Sequence, residues 1–175
     1  MLYREGKITV RRLENRDRGH LADWLSDSRV LEWYEGRDNP FDPVKVDAAF
    51  FKKDETTRCL AEYEEQAVGY IQFYPLAGEE KRIYGYTSEN VWGIDQFIGE
   101  PECWNRGIGT MLVSSMVRYL MSRANAERIV TDPRTINDRA IRCYEKCGFR
   151  KIRMLPEREW HEGRYQDCWL MEFRP

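Results

Sequence analysis

Two glycines one residue apart, Gly107 and Gly109, open a long apolar helical run from within Trp104-Asn105-Arg106-Gly107-Ile108-Gly109-Thr110. Glycine lets a backbone approach a ligand that side chains would hold off, and the first amides of a helix carry a partial positive charge. The N–H groups of Arg106, Gly107, Ile108, Gly109 and Thr110 are therefore expected to form a phosphate site that needs no lysine. No Gly-Lys-Ser/Thr follows, which removes the triphosphate and magnesium chemistry of a P-loop. A second reactive group is Asp95, alone in the otherwise apolar stretch Val91 to Ile98. A carboxylate buried without a partner is costly, so Asp95 is expected to work: to hold an ammonium and accept its proton, directly or through water. A third is the block Asn137 to Phe149, a helix on which Asn137 and Tyr144 lie two turns apart and which ends in Gly148-Phe149.

Carboxylates and hydroxyls for a cationic ligand come from separated segments. Tyr34, Glu35, Gln72, Tyr84 and Tyr86 lie in the first half, and Asp95 and Asp132 in the second. Glu79, Glu80 and Glu89 read as a solvated face that steers cations. His20 and His161 have no serine or cysteine at a recognisable spacing, so nothing supports an acyl-enzyme. The five cysteines are scattered and lack paired zinc-ligand spacing, so free thiols and no metal are expected, with Cys143 and Cys147 one helical turn apart.

These groups must be positioned by one domain, 1–175. A net charge of −2 gives no basis for binding nucleic acid, and neither a signal-peptide core nor a membrane-length apolar run is present. A cytoplasmic protein is expected, with a monomer as the default because no apolar stripe suggests a dimer. Ile8 and Val10 alternate with polar residues in a first strand, and Asn15 or Asp17 caps a helix bearing Leu21, Trp24 and Leu25. Asp42-Pro43 starts a second helix through Val44, Ala48 and Phe51. Cys59 to Tyr63 and Ala67 to Tyr74 form a hairpin across Glu64-Glu65-Gln66, with Gln72 opposite Tyr70 or Phe73. Ala77 to Asn90 reads as a surface loop. Val91 to Ile98 is a strand, and Gly107 to Ala124 is a helix turning Met111, Leu112, Met116 and Leu120 to a core. A strand at Arg128 to Asp132, the Asn137 helix, a strand after Phe149 and a last strand at Cys168 to Phe173 complete the order.

With this order and these motifs the sequence resembles the GCN5-related N-acetyltransferase superfamily over its whole length. Gly107-Ile108-Gly109 matches the superfamily's pyrophosphate loop, and Asn137, Ala140, Tyr144 and Gly148-Phe149 match its next block. Trp104 departs from the Gln or Arg usual three residues before the first glycine. Gly69-Tyr70-Ile71-Gln72, Gly93 to Pro101, Thr131-Asp132-Pro133 and Leu155 to Gly163 are similar to the aminoglycoside 6′-N-acetyltransferases, including the acetylating half of bifunctional resistance enzymes. The resemblance implies an α/β fold whose mixed central sheet splits between two parallel strands and is flanked by helices. It implies acetyl-CoA as co-substrate and an aminoglycoside as partner, acetylated at its 6′-amine by direct attack in a ternary complex. The coenzyme would lie on the glycine loop, Asn137, Ala140 and Tyr144, with backbone N–H groups near Phe97 and Ile98 polarising the thioester. Tyr144 would protonate the departing thiolate, and Asp132 would join Asp95, Gln72, Tyr34, Glu35 and Tyr84 at the acceptor. Rival readings are acetylation of a protein N-terminus or a polyamine, or a coenzyme-binding module without catalysis.

Overall fold

The computed structural model describes residues 1–175, and its hydrogen bonds order eight strands as β1-β2-β3-β4-β5-β6-β8-β7. The sheet is mixed: β5 (Val91–Ile98) runs parallel to β6 (Arg128–Thr131), while β6 and β8 (Arg164–Phe173) are antiparallel, as are β8 and β7 (Arg150–His161). Helices connect and flank the strands. No helix is long and apolar enough to cross a membrane.

The chain forms two compact units, Met1–Gln72 with Gln96–Leu112, and Phe73–Asp95 with Val113–Pro175. In the first, β1 (Tyr3–Glu5), β2 (Ile8–Arg12) and β3 (Thr57–Tyr63) pair as an antiparallel meander. The expected hairpin from β3 to β4 (Gln66–Pro75) is present, and its turn places Glu64 and Glu65 both at positive φ, as a two-residue turn matching strand twist requires. Helices α1 (Arg18–Trp24), α2 (Ser28–Leu31) and α3 (Pro43–Phe50) bury Leu21, Leu25, Leu31, Val46 and Phe50 against Leu60 and Tyr70. Asp42 caps α3 as expected, accepting from the Lys45 amide at 2.8 Å. Asp17 is the N-cap residue of α1, as one of the two expected, but its side chain makes no cap bond to that helix. The buried Asp17 carboxylate instead takes both terminal nitrogens of Arg11 at 2.8 Å and the Glu14 amide at 2.7 Å, because a paired cation satisfies a buried carboxylate better than a helix amide does.

In the second unit Leu76, Tyr84, Val91, Val130, Leu155 and Leu170 form a core. The expected surface loop at 77–90 is in part a helix, α4 (Gly78–Tyr84), with Glu79 and Glu80 in its first turn, Lys81 and Arg82 in its last, and Gly85 ending it at φ 86°. Those charges suit the helix dipole, and their density hid the helical period. Helix α5 (Ile108–Arg123) buries Leu112, Met116 and Leu120, but Met111 is 37% exposed and does not belong to the core. Helix α6 (Asp138–Lys146) leads into β7 and β8, a hairpin far longer than expected, turned by Glu162 and Gly163 at positive φ. Its many outward charges conceal the strand pattern.

Candidate active site

The approach to α5 alternates in hand. Asn105 has φ 58° and Gly107 φ 78°, with Arg106 between them outside the positive-φ region. Such alternation turns successive main-chain N–H groups into one concavity, a nest suited to an anion. At Gly107 it is the conformation and not the space that favours glycine, since a side chain there would meet nothing within 4 Å. The buried Ile108 and the bond from the Met111 amide to the Gly107 carbonyl at 3.0 Å anchor the 16-residue helix whose positive end the nest extends. Trp104, the departure from the superfamily pattern, donates its indole N–H to the Ile98 carbonyl at 2.8 Å and so ties the loop to the end of β5. In the same unit the Gln96 side-chain oxygen is buried without a hydrogen-bond partner, an acceptor left for a donor from outside the protein. An open nest on a long helix and an unanswered buried acceptor both fit a phosphate-bearing, amide-rich coenzyme.

Asn137 and Tyr144 owe their placement to the two ends of α6. The Asn137 side-chain oxygen caps the helix, accepting from the Ala140 amide at 3.3 Å. At the other end Gly148 has φ 92°, its amide bonds the Glu145 carbonyl, and the Phe149 amide bonds the Tyr144 carbonyl, both at 3.0 Å. This double bond pattern is a Schellman closure, and the hydrophobic contact that accompanies it is Phe149 on Tyr144, ring centroids 5.5 Å apart. The Gly-Phe pair thus fixes the tyrosine, which is buried.

The parallel pairing of β5 with β6 builds an acidic centre. The parallel pairs Val91 with Arg128, Trp92 with Ile129 and Gly93 with Val130 end two residues short of Asp95 and of Asp132, and both carboxylates bear on the Tyr74 phenol. The carboxyl ends of parallel strands are where ligands of α/β proteins sit. The Tyr74 ring lies across Gly93, where a Cβ would come within 2.4 Å of it. Burial pushes the Tyr74 phenol up, and Asp95, Glu80 and Asp132 push it further. Tyr84 donates to Asp132 at 2.6 Å, and Arg158 donates to Asp132 at 3.1 Å, to Glu80 at 2.8 Å and to the Tyr84 hydroxyl at 3.2 Å. Burial raises the Asp132 carboxyl above its ordinary range against the opposing pull of Tyr84 and Arg158. The result is a site rich in negative charge and hydroxyls, able to hold an ammonium and to take a proton from it.

The GNAT acetyltransferase domain family matches residues 14–156. The chain belongs to this family. This acetyltransferase is 31% identical over 151 residues to the aminoglycoside N(6′)-acetyltransferase type 1 of Klebsiella pneumoniae, covering 82% of this chain and 74% of that one. Its fold is similar to that of the aminoglycoside acetyltransferase AAC(6′)-Ib in complex with coenzyme A, with a TM-score of 0.76 and 27% identity over 95% of this chain and 94% of that one. The same enzyme in complex with coenzyme A and kanamycin gives a TM-score of 0.75 at 27% identity, over 95% and 94% of the two chains.

Within this acetyltransferase the residues singled out from the sequence fall into separate groups. Asp95, Asp132 and Tyr84 converge with Tyr74, and Asn137, Ala140 and Tyr144 share α6. Tyr34 packs on Phe97 at 4.5 Å between ring centroids, and Phe97 stacks on Tyr70 at 5.5 Å. Gln72 does not oppose Tyr70. Residues two apart in a strand share a face, and the Tyr70 hydroxyl donates to the Gln72 side-chain oxygen at 2.6 Å. Glu35 has φ 73°, a conformation that favours glycine and marks local strain. Its carboxyl is raised by desolvation, partly countered by Lys45. Tyr86 is tied to Glu172. Tyr74, Glu80 and Arg158 were missed as site residues. Glu80 is not merely a solvated charge, and Arg158 lies inside the Leu155 to Gly163 block that carried part of the resemblance.

Proposed function

We propose that this chain transfers acetyl from acetyl-CoA to the 6′-amine of aminoglycoside antibiotics by direct attack in a ternary complex, conferring resistance, with residues 1–175 acting as one catalytic domain in the cytoplasm. The observation that carries the reading is the cluster in which Asp95, Glu80 and Asp132 bear on Tyr74 and Tyr84 donates to Asp132: a cation-binding centre of the kind a polyamino sugar needs. The similarity to aminoglycoside N(6′)-acetyltransferases over most of both chains supports the same acceptor.

Acetyl-CoA supplies the acetyl group as a thioester and departs as the free thiol. The amides from Arg106 to Thr110 hold its pyrophosphate, with Asn137 and Ala140 along its arm. Backbone N–H groups near Phe97 and Ile98 polarise the carbonyl where charge develops. Asp95 accepts the proton of the 6′-ammonium, directly or through water, so that the nitrogen lone pair forms the new N–C bond as the C–S bond breaks. Tyr144 delivers a proton to the departing sulfur. Asp132 holds the amino sugar, with Tyr84, Gln72, Tyr34 and Glu35 as further contacts.

A panel of acceptors tests the proposal: kanamycin, spermidine and a peptide with a free N-terminus, each with acetyl-CoA and detection of released thiol. Release with kanamycin alone supports it. Release only with the peptide or spermidine, or with none despite tight coenzyme binding, overturns it.

A further inference from the structure

The cation that sits in the acidic centre is the protein's own. Arg158 spans Asp132, Glu80 and the Tyr84 hydroxyl, with its guanidinium 5.4 Å from the centroid of the Tyr84 ring. Two carboxylates and a hydroxyl above an aromatic face are also what a sugar ammonium, with three N–H donors, would require. Three acidic groups, Asp95, Asp132 and Glu80, bear on this centre, and Arg158 reaches two of them.

Arg158 is carried on an irregular part of β7. The pairing of β7 with β8 is irregular between Leu155 and Glu159, Glu157 within it has φ 49°, and the Arg158 side chain is 30% exposed. A bulge of this kind breaks the ladder locally, so the side chain can leave without unpairing the hairpin on either side. A group whose function was only to brace Asp132 would be better placed on a regular, covered strand.

We infer that Arg158 is a stand-in for the acceptor's ammonium: it neutralises Asp132 in the free enzyme and is displaced by the polycationic substrate. The inference rests on the proposed acceptor. It makes Arg158 a specificity-determining residue. An acceptor must bring a cation to the place that Arg158 vacates, so multiply charged amino sugars compete and simple monoamines do not. The buried carboxylate is never left without a partner, which would be unfavourable.

The test is steady-state kinetics of Arg158→Leu and Arg158→Gln beside the wild type, with kanamycin as acceptor and methylguanidinium as a probe of the vacated place. The expected result is an acceptor KM on the order of tenfold lower in both variants, the size of one charge-assisted contact, with kcat little changed. Methylguanidinium at millimolar concentration should inhibit the variants competitively against kanamycin and leave the wild type nearly unaffected. Should one variant fail to fold, the other carries the comparison. A wild type that acetylates kanamycin, with variants whose KM is unchanged or raised and whose activity ignores methylguanidinium, overturns the inference while the proposed function stands. A wild type that acetylates no aminoglycoside overturns the proposed function itself.

Discussion

Asp132→Asn removes one negative charge from the acidic centre and keeps its shape. In the native chain Asp132 Oδ2 accepts from the Tyr84 hydroxyl at 2.6 Å and from Arg158 Nε at 3.1 Å, and an amide oxygen can accept both. The loss therefore falls on the charge-assisted part of ammonium capture. A hydrogen bond to a charged group contributes about 1.5–3 kcal/mol, which corresponds to an acceptor KM raised roughly 10- to 150-fold. The acetyl-CoA affinity should stay as it was. A pH signature accompanies this change. Burial holds the Asp132 carboxyl above its usual range, and only its ionised form attracts an ammonium. As pH falls through that raised value the carboxylate is protonated, so the wild-type kcat/KM for acceptor should decline earlier in an acid titration than an ordinary aspartate would cause. In the Asn variant that raised limb should vanish. The assay is a pH series of kcat/KM by thiol release, with calorimetry of acetyl-CoA as control. A variant with wild-type KM and an unchanged acid limb would refute the role given to Asp132.

Gly107→Val should weaken acetyl-CoA binding at least tenfold by calorimetry while circular dichroism reports an intact fold, because valine strongly disfavours the φ of 78° on which the nest depends; unchanged affinity would remove the nest from the coenzyme site. Asp95→Asn should lower turnover on the order of 10²–10⁴-fold at neutral pH with acceptor still bound, and a near-native rate would return Asp95 to a structural role. The Cys147 thiol is drawn down to about 7 by the hydrogen bond from Cys143, with burial opposing and the Ser114 hydroxyl assisting from 3.2 Å. Alkylation of the Cys147 peptide by iodoacetamide should thus be half-maximal near pH 7 and shift upward in Ser114→Ala, whereas a midpoint near the ordinary thiol value of about 8.5 would contradict that environment.

What was legible in the sequence was local. The caps at Asp42 and Asn137, the Gly148-Phe149 closure and the start of α5 depend on side chains within a few residues of the backbone groups they satisfy, so spacing alone points to them. The convergence of Asp95 and Asp132 on Tyr74 was not legible in that way, because it joins strands separated by a helix. Tyr74 was hidden by its place just before Pro75, and its relation to Gly93 exists only once two strands lie together. Glu80 reads as a surface charge because it is flanked by charges, and Arg158 carries no local signal; their pairing spans a helix and a distant hairpin. The Asp17 side chain leaves α1 without a cap bond for a similar reason, since its partner Arg11 belongs to a strand. Propensity could not foresee that a nonlocal cation would compete for the carboxylate.

The central claim is the transfer of acetyl to one particular amine, and the position of the product's acetyl group tests it most directly. Kanamycin incubated with the enzyme and acetyl-CoA should gain a single acetyl by mass spectrometry, located by NMR on the 6′-nitrogen, and a 6′-hydroxyl analogue should gain none because its oxygen is a far weaker nucleophile than an amine deprotonated beside Asp95. Acetyl on another ring amine, equal turnover of the hydroxyl analogue, or no acetylated product at all would contradict the account.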